Sequence, residues 1–298
     1  MRGRNLVTVF GFLFVGMVYF LFQDPDAEAT QSSSAQQGTV FVPVNVTDSK
    51  GLPVTTLKAE HFQVLEDNKE QKITYVSTPA DPMTLGVLLQ LSASGPVKTA
   101  GQKDRTTVEI LSAVDKVREV GGQGNPAMFA QLPLDSDAHY AMISRNLAEL
   151  DKQAARRKAL VVVSDGLISS GIKPDNMQPP KALIDAGMRN QFPIYFLFVV
   201  DKLPEPVLSE NSNSVLGFTL QRIAEDSGGQ VIIGMIENNL LSNAEKLRDS
   251  LKSQYVLEYT STNTAKDGKW RKLAVKVNPP ADLTKLKVAS KARYFVPK

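Results

Sequence analysis

Five short, β-rich apolar runs alternate along this chain with longer stretches whose apolar residues fall at helical spacing. The runs are Leu85–Leu91, Ala127–Leu132, Ala159–Val163, Pro193–Val200 and Gln230–Ile233. Between and after them come Val108, Leu111 and Val114; Met142, Ile143, Leu147 and Leu150; Leu183, Ile184 and Met188; and Leu216, Leu220, Ile223 and Ala224. Spacings of three and four place such residues on one helix face. Strands without polar alternation are buried on both sides, so the pattern predicts an α/β fold with a doubly wound, mostly parallel sheet. Gly121-Gly122 and Gly228-Gly229 stand where a helix end needs a left-handed residue, and a last helix is expected over Leu240 to Lys252.

Both flanks read as β. Val40 to Val46, the turn-forming Asp48-Ser49-Lys50-Gly51, Phe62 to Leu65 with Glu66-Asp67-Asn68-Lys69, and Ile73 to Val76 make strand, turn, strand units. After the last helix come Tyr255 to Thr260, Lys272 to Val277 and Leu286 to Phe295, with Asp267-Gly268 read as a hairpin turn between the first two. The expected layout is a signal peptide or N-terminal anchor over 1–29, a flexible linker over 30–38, a small β module over 39–79, the α/β domain over 80–252 and a C-terminal β segment over 253–298. That last segment either pairs with the β module, as an accessory module built from both chain ends, or extends a sheet edge.

The N-terminus bears on location. Arg2 and Arg4 precede an uncharged run from Leu6 to Phe22, then Gln23-Asp24-Pro25-Asp26 and the small-x-small step Ala27-Glu28-Ala29. This is the order of an export signal. Cleavage after Ala29 is the first expectation and retention of residues 6–22 as an anchor the second; either way the rest of the chain is placed outside the cytoplasm, in the periplasm, at the cell surface or secreted. Thr30 to Gly38 has nothing to bury. With 42% apolar and 22% charged residues the chain is ordinary globular material, and a net charge of +3 over 298 residues argues against a nucleic-acid surface. The absence of cysteine removes disulfides, thiol nucleophiles and cysteine lipidation.

In a doubly wound sheet, ligands gather outside the carboxyl ends of the strands. Two such ends are distinctive: Gln90-Leu91-Ser92-Ala93-Ser94-Gly95 and Ser164-Asp165-Gly166. Neither makes a nucleophile elbow, which needs glycine two places on either side of the serine. The two histidines, His61 and His139, lie in different predicted modules and read as surface or locally bonded residues, so triads and multi-histidine zinc sites lack material. Gly121-Gly122-Gln123-Gly124 follows a helix, where a phosphate loop would follow a strand; it is a turn. Lys152 to Lys158 and Lys269 to Lys272 read as solvated faces, and Trp270 as an aromatic packed over a turn. The loop from Leu203-Pro204-Glu205-Pro206 to Asn213 borders the crest and is a candidate for partner contact.

These strand ends together resemble the metal-ion-dependent adhesion site of von Willebrand factor A domains, in which an Asp-x-Ser-x-Ser loop, a Thr from a second loop and an Asp from a third hold one divalent cation. Pro43 to Gly51, His61 to Asn68, Ala224 to Gly229, Ser253 to Thr260, Asp267 to Lys272 and Arg293 to Pro297 are similar to the VWFA-related family frequent in Acidobacteria. The resemblance spans residues 40–297. It implies that Ser92, Ser94 and Asp165 are the metal-site positions, with Gln90 where the family has Asp and no counterpart of the Thr loop between Leu132 and Lys158. A hard dication needs carboxylates to compensate its lost water, so this site is expected to be degenerate, with no cofactor required.

The expectation is therefore a non-catalytic, metal-independent protein–protein interaction module of the cell envelope, adhesive or scaffolding. Its partner would be a protein, not nucleic acid, and it would meet the membrane only through the N-terminal segment. Contact would run through Gln90, Ser92, Ser94, Asp165, Gly166, Pro204 and Glu205. Two alternatives stand beside it: Mg²⁺ or Mn²⁺ held by Ser92, Ser94 and Asp165 and completed by an acidic partner residue, and a serine hydrolase using Ser92 or Ser94.

Overall fold

Thirteen strands and four α-helices appear in the computed structural model, which describes residues 38–90, 100–121, 128–131, 136–164, 192–200, 215–236, 238–281, 283 and 285–298. All belong to one unit, Ser33–Lys298. In chain order the strands are β1 (Thr39–Thr47), β2 (Phe62–Glu66), β3 (Lys69–Gln71), β4 (Ile73–Ser77), β5 (Met83–Gln90), β6 (Met128–Gln131), β7 (Arg157–Ser164), β8 (Ile194–Val200), β9 (Val231–Met235), β10 (Tyr255–Thr260), β11 (Trp270–Val277), β12 (Lys287–Ser290) and β13 (Arg293–Phe295). The helices are α1 (Ala100–Arg118), α2 (Ser136–Asp151), α3 (Val215–Ser227) and α4 (Leu240–Lys252).

The five apolar runs pair as one parallel sheet in the order β6-β5-β7-β8-β9. Alternate side chains feed two cores, as the period of two in a strand requires. On one face Leu85, Val87, Leu89, Val161, Val163, Tyr195 and Leu197 pack under Ile110, Val114 and Val117 of α1 and Ala244, Leu247 and Leu251 of α4. On the other, Leu88, Leu160, Val162, Ile194 and Phe196 meet Ile143, Leu147 and Leu150 of α2 and Leu220, Ile223 and Ala224 of α3. The fold is thus α/β and doubly wound. Leu111, expected to face the core, is 45% exposed; the buried stripe of α1 runs through Ile110, Ala113, Val114 and Val117 instead. The segment of Leu183, Ile184 and Met188 lies outside the described residues.

Helix α3 ends as its glycines require. Gly228 takes φ +89°, its N–H reaches Glu225 O, and Gly229 N–H reaches Ala224 O. Ser227 Oγ donates to Ala224 O at 2.7 Å and accepts from Ile194 N at 2.9 Å, which ties the helix end to the start of β8. A Cβ on Gly229 would fall onto the Ile194 carbonyl, so only glycine fits this approach.

The two chain ends build the accessory module from two antiparallel sheets, β12-β1-β10-β4 and β13-β11-β2-β3. They share one core of Val40, Val42, Val44, Phe62, Val64, Tyr255, Leu257, Tyr259, Leu273 and Tyr294. Glu66 pairs with Lys69 across a two-residue turn, with Asp67 at φ 47° and Asn68 at φ 67°, the double positive φ of a type I′ hairpin. Three expected connections differ. β10 is flanked by β1 and β4 on both edges, so it has no free edge for β11; Asp267-Gly268 is a turn between sheets, not a hairpin. For the same reason the 62–66 and 73–77 strands do not pair: β3 pairs with β2, and the chain changes sheet at Lys72. The run from Leu286 to Phe295 breaks at Lys291-Ala292 into β12 and β13, one for each sheet.

The module joins the parallel sheet at that sheet's amino edge. Arg157, the first residue of β7 and 3% exposed, donates through Nη1 to Pro79 O (3.2 Å) and Asp81 O, and through Nη2 to Leu251 O (2.9 Å) and Lys252 O (3.1 Å). Asn45 Nδ2 donates to Ser250 O, and Gln254 Nε2 donates to Asn45 Oδ1 and Tyr195 Oη. Arg293 grips Asp226, at the end of α3, with two bonds of 2.7 Å. On the side of the parallel sheet these groups, Arg157, Tyr195, Asp226, Ser250, Leu251 and Lys252, lie at strand starts or helix ends, which leaves the carboxyl edge of the sheet on the side away from the module.

Candidate functional site

The sheet order sets β6 on one side of β5 and β7, β8 and β9 on the other, so the strand order reverses between β5 and β7. This is the switch point at which a doubly wound sheet opens a crevice at its carboxyl edge. Register brings Gln90 opposite Ser164, the last residues of their strands, and Leu89 opposite Gln131 at the end of β6. Ser164 is buried, and beneath it Leu88, Leu89, Val162 and Val163 form a dry aliphatic floor. Of the expected site residues, Gln90 is thus placed at the switch point, on the strand beside the one that ends in Ser164. Ser92, Ser94, Asp165, Gly166, Pro204 and Glu205 lie outside the described residues.

The residue types that the described strands bring to this crest, Gln90, Gln131 and Ser164, carry amides and a hydroxyl. Such groups donate and accept hydrogen bonds without titrating near neutral pH, which suits recognition more than proton transfer. Sequence reasoning singled out Gln90 but not Gln131, whose place at the crest follows only from β6 pairing beside β5. Among the described residues no three His, Asp or Glu side chains gather as metal ligands. His61 is engaged locally: its Nδ1 accepts from Lys58 N at 2.8 Å. His139 sits on α2, an element remote in the chain from the module that carries His61.

Charged groups that sequence reading set aside as solvated turn out to organise the fold. In the 152–158 stretch, Arg157 is enclosed, and burial pulls its pKa down to about 10 despite Asp81 nearby. Arg156 pairs with the buried Glu258 at 2.8 Å and lies 4.2 Å over the Tyr75 ring. In the 269–272 stretch, Arg271 is buried between Asp267 (3.0 Å) and Asp67 (4.0 Å). Trp270 is packed as expected, edge-on to Phe295 at 5.6 Å and under Arg293 at 4.1 Å.

Two further buried ionisable groups belong to the module. Glu66, 2% exposed, accepts from Tyr259 Oη (2.7 Å), Tyr294 Oη (3.0 Å) and Ser261 Oγ (2.8 Å). Burial raises both tyrosines, Tyr294 to about 12, so they stay protonated donors and the network closes on itself. Lys291 is 1% exposed beside Gly228, and burial lowers its pKa to about 8 against the pull of Asp226. Nothing in the sequence around Lys291 marks it as inward-facing; it lies in the break between β12 and β13, which turns it in.

No family model matches this chain, and no curated protein matches it. Among solved structures, a von Willebrand factor type A protein from Catenulispora acidiphila is similar at 11% identity and a TM-score of 0.35, over 87% of this chain and 75% of that one. A flavodoxin from Streptococcus pneumonia TIGR4 is similar at 9% identity and a TM-score of 0.28, over 57% of this chain and 97% of that one. Among the described residues no helix is long and apolar enough to cross a membrane; the run from Leu6 to Phe22 lies outside them.

Proposed function

We propose that this chain is a von Willebrand A-like recognition protein of the cell envelope, which binds a protein partner through the crest between β5 and β7 without catalysis and without a required metal. The observation that carries the reading is the register of Gln90 against Ser164 at the point where the strand order reverses. The crevice of the fold opens there, and the strand that would contribute a carboxylate ends in an amide. The donor set offered by the sequence at this place is Gln90, Ser92, Ser94 and Asp165, with one carboxylate among them. A single negative charge compensates a dication's dehydration poorly, so the set does not fit Mg²⁺ or Mn²⁺ as a resident ion. The module at the opposite edge supports the same reading, because a chain held through its N-terminal side presents the crest outward.

A photo-crosslinking amino acid at position 90, introduced in the native envelope, tests this. The expected result is a discrete protein adduct that persists in chelator and is missing when the crosslinker stands at Lys152, on the far edge. An adduct lost in chelator would favour the cation-dependent alternative, and labelling of Ser92 or Ser94 by an active-serine probe would favour the hydrolase.

A further inference from the structure

Charge is segregated along this chain in a way that the net value of +3 conceals. Residues 253–298 hold ten basic and three acidic side chains, a net of +7, whereas the other residues hold 24 basic and 28 acidic, a net of −4. Much of the excess collects at one end of the β module. Lys266 and Lys269 flank the Asp267-Gly268 turn; the Lys298 side chain lies against Gly268; Lys272 follows on β11; and Lys69 closes the neighbouring hairpin, whose Asp67 accepts from Lys272 N at 2.9 Å. All five lysines are exposed. The nearby carboxylates are engaged elsewhere: Asp267 and Asp67 both face the buried guanidinium of Arg271, at 3.0 and 4.0 Å, Glu66 is enclosed by hydroxyls, and the exposed Glu70 beside Lys69 accepts from Gln63 Nε2 at 2.9 Å. Among the described residues, the ion pair made by these lysines is Lys269 to Asp267 at 3.9 Å, with Lys269 72% exposed, which is worth little in water.

The chain enters the module at this same end. Gly38 O accepts from Ser261 N, and Ser261 Oγ donates to Glu66, the residue before the Asp67-Asn68 turn. Only 16 residues of sequence separate Phe22, the end of the apolar run, from Gly38, which limits their separation to roughly 53–58 Å even when fully extended. We propose that Lys69, Lys266, Lys269, Lys272 and Lys298 form a face that docks on anionic lipid headgroups, so that the module lies against the membrane while the crest points away from it. Lysines near an anionic surface each strengthen attachment by roughly fivefold, and the attraction fades within a Debye length. The crest plays no part in this docking, so the two proposals fail independently.

The test is lysine footprinting of the full chain, using an amine-acetylating reagent and mass spectrometry, on phosphatidylglycerol vesicles and on phosphatidylcholine vesicles. The expected result is that these five lysines label at least about threefold more slowly on the anionic vesicles, that ~0.5 M salt abolishes the protection, and that Lys152 and Lys246 label equally on both. This holds whether the N-terminal run is inserted or has been removed. The combined variant Lys266→Glu, Lys269→Glu, Lys272→Glu, Lys298→Glu should lose affinity for anionic vesicles at least about a hundredfold with its Trp270 fluorescence unchanged. Equal labelling on the two vesicle types overturns the proposal. So does equal protection by soluble polyglutamate or duplex DNA at matched charge, which would make the face a general polyanion site.

Discussion

Replacing Arg157 by Met should uncouple the β module from the parallel sheet, and the size of the effect follows from what the guanidinium holds. It donates to four carbonyls from two places: Pro79 and Asp81 on the strap from β4 to β5, and Leu251 and Lys252 at the end of α4. Carbonyls of a helix's last turn lack intrahelical partners, although Leu251 O also accepts from Gln254 N at 3.3 Å. Hydrogen bonds to a charged group contribute about 1.5–3 kcal/mol each in isolation. Burial works against them, as the depression of the Arg157 pKa to about 10 shows. Leaving these buried carbonyls without a donor costs about 1–3 kcal/mol each before relaxation, so the net loss is about 3–5 kcal/mol. Met matches much of the apolar stem, so the cavity contribution is small and the loss is chiefly of the four bonds. At roughly 2–4 °C per kcal/mol for a domain of this size, Tm should fall by roughly 6–20 °C. The chain contains one tryptophan, Trp270 on β11, while the described α-helices belong to the α/β layer. Urea titration followed by tryptophan fluorescence therefore reports the module, and far-UV circular dichroism reports the helices. The two curves should coincide in the wild type and separate in Arg157→Met. A loss below about 1 kcal/mol with coincident curves would refute the reasoning, since that is the range of a surface substitution.

Two other substitutions probe the module. Stability of the wild type should rise between pH 8 and about 10, because Lys291 sheds its proton near 8 when folded but only near its ordinary value when unfolded; Lys291→Met should remove that slope in urea titrations run across the window. Glu66→Gln should destabilise by about 2–4 kcal/mol, because an amide nitrogen would then face hydroxyl donors that have lost an acceptor; a change under 0.5 kcal/mol by fluorescence would mean the hydroxyls find other partners.

The parallel sheet was legible because its central strands, β5, β7 and β8, are buried on both faces, so each carries a near-continuous apolar run. β10 was located at Tyr255–Thr260 to the residue for the same reason. Pairing in the module was not legible. Turn chemistry at Asp267-Gly268 says that the chain bends, but β10 already has neighbours on both edges, and that is a fact of tertiary structure. Arg157 and Lys291 were missed because a buried cation is set by the carbonyls and carboxylates that distant segments bring to it. Leu111 was misassigned because three- and four-residue spacing admits two adjacent helix stripes, and only packing against α4 and the sheet selects the one through Ile110, Val114 and Val117. At the crest, sequence pointed to the ends of β5 and β7; that they are adjacent and in register at Gln90 and Ser164 needed the fold.

The central claim is that this crest recognises a partner without holding a divalent ion, and the most direct test is the melting midpoint of the wild type with and without Mg²⁺. An ion bound only by the native state at a hundred times its Kd adds about 2.7 kcal/mol, which is roughly 5–11 °C for a domain of this size. The account predicts a shift of less than about 1 °C at ~5 mM Mg²⁺ in the wild type. A wild-type shift of several degrees that disappears in Asp165→Ala would contradict it.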